Sequence, residues 1–124
     1  MNADFGKYNK VKLIKKTENS VALEFSIPAT SPYYNGHFPD LPILPGVAQV
    51  DLVVHFASEH FGISIGISKI NRIKFINIIR PENPFVLFIE ADKIEADKKN
   101  IAFKFSSPGG ETVYSSGTMT INQY

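Results

Sequence analysis

One stretch limits the possible folds of this chain more than any other: GVAQVDLVVHFASEHF, residues 46–61, the longest segment free of strand-like alternation and of internal proline or glycine. Val47, Val50, Val54 and Ala57 recur at helical spacing, and Leu52, Val53 and Phe56 add apolar residues on other faces. The spacing predicts a helix that is apolar on nearly every side and therefore covered almost all round. Gly62 supplies a C-terminal stop. A single helix of this kind needs a sheet to bury it, and the rest of the chain reads as strands.

Val21, Leu23, Phe25 and Ile27 alternate strictly, Val11 and Leu13 do so more briefly, and KTENS between them makes a hairpin. After the helix, strands are expected over residues 67–79, 85–96, 101–106 and 112–121, separated by the turn sequences RPENP, ADKKN and SPGGE. About six strands joined mostly by hairpins, with one buried helix, imply an α+β domain in which an antiparallel sheet wraps around the helix. So small a sheet leaves an edge exposed, and two such edges joined would make a dimer.

Composition sets the class of protein. With 124 residues, 44% hydrophobic and 20% charged, the chain has room for one domain, residues 1–124, with a modest core. The absence of cysteine rules out a disulfide framework, a thiol nucleophile and a cysteine-ligated metal, so a cytoplasmic protein is expected. The opening MNADFGKYNKVKL has no apolar core of signal-peptide length, and no run approaches the roughly 18 apolar residues of a membrane helix, so neither export nor membrane insertion is expected. A net charge of +1 argues against a general nucleic-acid binder. Lys69, Arg72, Lys74 and Arg80 nevertheless fall in a stretch with no acid between Glu59 and Glu82, which suits either a solvated strand face or an acidic partner.

Chemistry is concentrated at the entrance to the helix. Pro32, Pro39, Pro42 and Pro45, with Gly36 and Gly46, make that entrance stiff, since each proline fixes its own φ and biases its predecessor towards extended conformations. The stretch holds one histidine, His37, and the apolar run is interrupted fourteen positions later by one carboxylate, Asp51. A buried ionisable group is costly unless it is paired or used. Taken singly, His37 could be an ordinary loop residue, Gly46 a helix-start turn residue and Asp51 a satisfied core acid. Asp51, His55 and Glu59 stand four apart on one helix face, but consecutive turns diverge too far for three ligands to converge on a metal, and none is expected. His60 reads as a helix-end residue beside the negative pole of the dipole. Tyr33, Tyr34 and Phe38 either line a pocket or fill core.

The segment NGHFPDLPILPGVAQVD closely resembles the active-site segment of the hotdog-fold 3-hydroxyacyl-acyl-carrier-protein dehydratases. INRIKFINIIRPENPFVLFIEA is similar to the strand pair that follows the helix in those enzymes, and AFKFSSPGGETVYSSGTMTI to their C-terminal hairpin. The short chain and the LPGVAQVD variant look most like the small dehydratases of aryl-polyene-type pathways. The resemblance implies a hotdog fold and elimination of water from a (3R)-3-hydroxyacyl thioester to give a trans-2-enoyl thioester. It implies no cofactor of the protein's own, the substrate being carried on the phosphopantetheine of an acyl carrier protein, with Lys69, Arg72, Lys74 and Arg80 as candidates for docking that acidic partner. A homodimer or dimer-based oligomer is the implied assembly, with His37 of one chain facing Asp51 of the other.

Residue by residue, His37 matches the catalytic histidine, Asp51 the catalytic acid, Gly46 the glycine whose N–H binds the thioester carbonyl, and Ile43 the position whose carbonyl orients the histidine. Pro45, Val47, Tyr34 and Phe38 are the accompanying substrate-binding candidates. The family's helix residue four past the acid is usually a glutamine that hydrogen-bonds it; here it is His55. The chemistry fits the residue types. A histidine takes a proton near neutrality, an amide at a helix N-terminus stabilises charge on the thioester oxygen, and an acid buried among Val50, Leu52 and Val54 would be held protonated to help hydroxide leave. A hotdog thioesterase, in which the helix acid activates water, and a non-catalytic acyl-binding subunit are the alternative readings.

Overall fold

The structure is a computed structural model that describes residues 8–34, 43–62, 66–95 and 98–122. Six strands and one α-helix follow in the order β1 (Lys12–Lys16), β2 (Ser20–Phe25), a 3-10 turn (Pro32–Tyr34), α1 (Gly46–Phe61), β3 (Gly66–Phe75), β4 (Phe85–Glu95), β5 (Lys98–Ser106) and β6 (Val113–Asn122). The strands form one sheet in the order β1-β2-β4-β5-β6-β3, with every neighbouring pair antiparallel. The chain leaves β2 at one side of the sheet and re-enters as β3 at the opposite edge, so α1 crosses the inner face between them. This is the hotdog arrangement expected from the resemblance.

Alternation along the strands supplies the inner face. Val21, Leu23 and Phe25 of β2 stand opposite Ile89, Leu87 and Phe85 of β4, and β5 and β6 continue the layer with Ile101, Phe103, Phe105, Met119 and Ile121, all buried. From α1, Ala48, Leu52, Val53, Phe56 and Ala57 pack against them. Phe56 is the keystone of an aromatic row, its ring centre 5.2 Å from that of Phe25, which lies 4.7 Å from Phe85, which in turn lies 5.5 Å from Phe105. Tilted and edge-on contacts of this kind add to the area buried. Truncating Phe56 to alanine would cost about 3–5 kcal/mol.

The helix begins and ends where the sequence reading places it. Gly62 takes a left-handed conformation (φ 64°) and donates its N–H to Ser58 O at 3.0 Å, closing the last turn. Pro45 occupies the N-cap position at φ −67° and ψ 155°, with no side-chain capping bond. The strand at 67–79 ends earlier than expected, at Phe75, where the ladder with β6 gives way to a bend: the amides of Ile76 and Asn77 share a single β6 acceptor, Tyr114 O. Ile79 then enters the core, and its carbonyl accepts the Leu44 N–H at 2.9 Å. Two further differences concern polar sequence: β5 starts at Lys98 rather than at 101, and β6 at Val113 rather than 112. Among the described residues no helix is long and apolar enough to cross a membrane.

The expectation of a helix covered almost all round is not met within one chain. The sheet buries the side carrying Ala48, Gln49, Leu52, Val53, Phe56 and Ala57, whereas Val47 is 84% exposed and Asp51 and Glu59 are exposed. Neighbours in helical sequence point about 100° apart, so Leu52 and Val53 face the sheet while Asp51 faces away. Asp51 is therefore exposed and not buried among Val50, Leu52 and Val54 as expected.

Candidate active site

The N-terminus of α1 is held in place by a buried polar relay. Gln49, on the buried side of the helix, donates from Nε2 to Leu44 O at 3.1 Å, and its Oε1 accepts the Ser115 hydroxyl of β6 at 2.6 Å. Gln49 is 3% exposed and Ser115 is fully buried. With the bond from Leu44 N to Ile79 O, this ties Leu44, and with it the adjoining Pro45-Gly46, to β6 on one side and to the β3–β4 connection on the other. A buried polar group is retained when its partners are satisfied, and each bond here has one. The sequence reading missed Gln49. Its signal was a spacing shared with Val53 and Phe56, which places a polar residue on the face destined for the sheet.

In front of this anchored turn lies an apolar groove of about 500 Å³, lined by Gly46, Val47 and Val50 of α1 and by Ile70, Ile73 and Phe75 of β3. A Cβ built on Gly46 would stand 2.7 Å from Phe75 Cζ, so the absence of a side chain is what lets the phenyl ring close over the helix start. Val47 and Asp51 are one turn apart on the open side of the helix, which places the carboxylate beside the groove end of α1.

Asp51 is bonded by a residue not singled out as its partner. The Tyr33 hydroxyl donates to Asp51 Oδ2 at 2.6 Å. Burial, followed by this hydrogen bond and the carboxylate charge, raises the Tyr33 phenol well above its usual range, so it stays protonated as a donor. Nothing in the sequence foretells the contact, which spans eighteen positions between a 3-10 turn and a helix. His55, in the position of the family's glutamine, makes its hydrogen bond elsewhere: its Nε2 lies 3.1 Å from the Tyr8 hydroxyl and 4.0 Å from Glu59 Oε2. His60 is 3.6 Å from Glu59, and burial lowers its pKa. Among the described residues no cluster of histidine and carboxylate side chains is arranged to hold a metal.

The remaining expected residues divide three ways. His37 and Phe38 lie outside the described residues. Ile43 and Pro45 are half-buried in the segment leading into α1, and Tyr34 is buried in the core with its hydroxyl 3.5 Å from Ile79 O, so within this chain it fills core. Tyr34's phenol is also raised above its usual range, first by burial and then by Glu82. Lys69, Arg72, Lys74 and Arg80 are all exposed. Arg72 pairs across to Thr118 and Lys74 to Ser116, and with Gly117 and Phe103 they border a hollow of about 300 Å³.

A family model for ApeI dehydratases matches residues 13–118. Among curated proteins, the chain is 30% identical over 89 residues to a 3-hydroxyacyl-acyl-carrier-protein dehydratase FabZ of Thermoanaerobacter sp. (strain X514), covering 66% of this chain and 62% of the relative. It is 31% identical over 94 residues to the FabZ of Clostridium botulinum (strain Loch Maree / Type A3), covering 70% and 65%. The matched region thus spans a little under two thirds of those relatives. Among solved structures, the dehydratase heterocomplex ApeI:P from Xenorhabdus doucetiae has a chain that superposes with a TM-score of 0.74 at 23% identity, over 94% of this chain and 96% of that one. A hypothetical thioesterase with coenzyme A from Streptococcus pneumoniae TIGR4 superposes with a TM-score of 0.72 at 11% identity, over 95% and 88%. At those identities the two structures bear on the fold alone.

Proposed function

Since the chain belongs to the ApeI-like dehydratase family, we propose that it is a cytoplasmic 3-hydroxyacyl-acyl-carrier-protein dehydratase that removes water from a (3R)-3-hydroxyacyl thioester to give the trans-2-enoyl thioester. The observation that carries this reading is the start of α1: an anchored helix N-terminus without a side-chain cap, opening on an apolar groove, with a carboxylate on the same open face. Amides at such a terminus have no intrahelical partner and carry the positive end of the helix dipole. In the proposed reaction the Gly46 N–H holds the thioester oxygen as charge builds on it. His37 takes the proton from carbon 2, the electron pair forms the new double bond, and the bond from carbon 3 to oxygen breaks. Asp51, protonated for this step on the oxygen that Tyr33 does not hold, gives its proton to the departing hydroxide, which leaves as water.

The acyl chain is assigned to the groove of Gly46, Val47, Val50, Ile70, Ile73 and Phe75, and Lys69, Arg72, Lys74 and Arg80 to contact with an acidic carrier protein. An aryl-polyene-type pathway is the finer assignment, supported by the ApeI family match. The assembly proposed is a dimer in which the open face of α1 and the apolar flank of β3 are covered by a second subunit. Ile70, Phe75 and Ile76, each more than half exposed, are the residues that call for such cover.

The test follows enoyl absorbance and free thiol with 3-hydroxyacyl and 2-enoyl thioesters, for the wild type and for His37→Ala and Asp51→Asn. Enoyl interconversion without thiol release, lost by at least about a hundredfold in either variant, is expected. Mixing the two inactive variants under subunit exchange should restore at most about a quarter of wild-type activity, from half the dimers each holding one intact site. Thiol release would instead identify a thioesterase, and the lack of either activity would leave an acyl-binding subunit.

A further inference from the structure

Tyr33 occupies the middle of the 3-10 turn Pro32–Tyr34, four positions before His37. That turn is set firmly. Ser31, fully buried, donates its N–H to Pro28 O at 2.9 Å and accepts the Tyr34 N–H at 3.0 Å, while its hydroxyl accepts the Tyr33 N–H at 3.2 Å. Upstream, Glu82 holds the incoming chain from the other side: its N–H donates to Ile27 O at 2.8 Å, and its carboxylate accepts the Ala29 N–H at 3.0 Å. Tyr34 plants its ring in the core and leaves Tyr33, the next residue round the turn, directed at α1. The two adjacent tyrosines therefore do different work, one as an anchor and the other as an arm.

We propose that Tyr33 is the positioning residue for Asp51: its hydroxyl fixes the carboxyl group from outside the helix and ties the 3-10 turn Pro32–Tyr34 to the helix that carries the acid. The proposal deepens the dehydratase reading and rests on it for its catalytic consequence. Three observations support it. The 2.6 Å separation is short, within the range of a strong hydrogen bond from a hydroxyl to a carboxyl oxygen, and the bond strengthens as Asp51 gives up its proton and becomes charged. Tyr33 is the residue that hydrogen-bonds the Asp51 side chain among the described residues, while His55, one turn along, is engaged with Tyr8. An aspartate on the open side of a helix has free rotation about its side-chain bonds, and one fixed donor selects a single orientation of its carboxyl plane. With Oδ2 engaged by Tyr33, the other oxygen, Oδ1, is the one presented to substrate.

The variant is Tyr33→Phe, which removes one oxygen and keeps the ring. The unfolding midpoint should stay near that of the wild type. Turnover of a 3-hydroxyacyl thioester should fall by about tenfold to a hundredfold, the rate equivalent of one hydrogen bond to a charged group, with KM changed less than about twofold. In the Asp51→Asn background the same change should have far less effect, since the two residues act through one another. A loss appearing in KM alone, or an undiminished loss in the Asp51→Asn background, overturns the proposal.

A second measurement needs no activity. With 13C placed at the tyrosine Cζ positions, the resonance missing in Tyr33→Phe identifies Tyr33, and it should shift in Asp51→Asn. An unmoved resonance also overturns the proposal. A resonance that shifts in Asp51→Asn, together with a wild type that shows no dehydration, would refute the assigned function and the effect of Tyr33 on turnover while establishing the pairing.

Discussion

Replacing Gln49 by leucine should destabilise the protein by about 1–5 kcal/mol even though it makes the core more apolar. Gln49 Nε2 satisfies Leu44 O and Gln49 Oε1 satisfies the Ser115 hydroxyl, at 3.1 and 2.6 Å, and the side chain is 3% exposed. Leucine leaves both partners without that bond, at about 1–3 kcal/mol each, and regains roughly 1 kcal/mol from additional apolar burial. Ser115→Ala leaves one group unpaired, Gln49 Oε1, and should cost about 1–3 kcal/mol. The double variant should cost clearly less than the sum, because Ser115→Ala removes a hydroxyl that Gln49→Leu has already stranded. Urea unfolding at one fixed protein concentration measures all three, the fixed concentration excluding any mass-action shift from association. A Gln49→Leu cost below about 0.5 kcal/mol, or single costs that add within the same margin, would show that these groups do not act as one buried relay.

Two other perturbations separate function from stability. Gly46→Ala should leave stability within about 1 kcal/mol, since alanine favours the helix and the clash is with the far end of the Phe75 ring, yet displacing that ring should lower kcat/KM by about tenfold or more; unchanged kcat/KM would remove Gly46 from the site. Turnover of carrier-bound substrate should fall more steeply with rising salt than that of a small thioester mimic, and charge-neutral variants of Lys69, Arg72, Lys74 and Arg80 should flatten the difference. Equal salt sensitivity of the two substrates would count against that surface as the docking site.

What could be read from the sequence was whatever local chemistry decides. The bounds of α1 were legible because Pro45-Gly46 and Gly62 punctuate them, and the inner face of β2 because Val21, Leu23 and Phe25 alternate without interruption. The end of β3 was not, because INII continues the apolar run past Phe75 and only the acceptor Tyr114 O, shared by two successive amides, marks where the regular ladder stops. The open position of Asp51 was misread from its neighbours along the chain, which do not share its direction. In the candidate site, Gly46 and Asp51 were readable as a spaced pattern and are found at one end of one helix. The relay through Gln49 and the donor Tyr33 depend on partners 66 and 18 positions away, and no local pattern encodes such distances.

The uncapped start of α1 carries a consequence for how this protein would respond to selection. A serine, aspartate or asparagine at an N-cap contributes roughly 1 kcal/mol over a residue that cannot cap, and Pro45 forgoes it. Such a side chain would bond the N–H of Val47 or Ala48 and set an oxygen, negatively charged in the case of aspartate, beside the Gly46 amide. On the proposed mechanism that oxygen competes with the thioester for the same positive pole. Stability and turnover therefore pull in opposite directions at position 45. A library screened for heat resistance alone would drift towards capping residues there and towards silent enzymes, whereas one screened for turnover would keep the helix start bare.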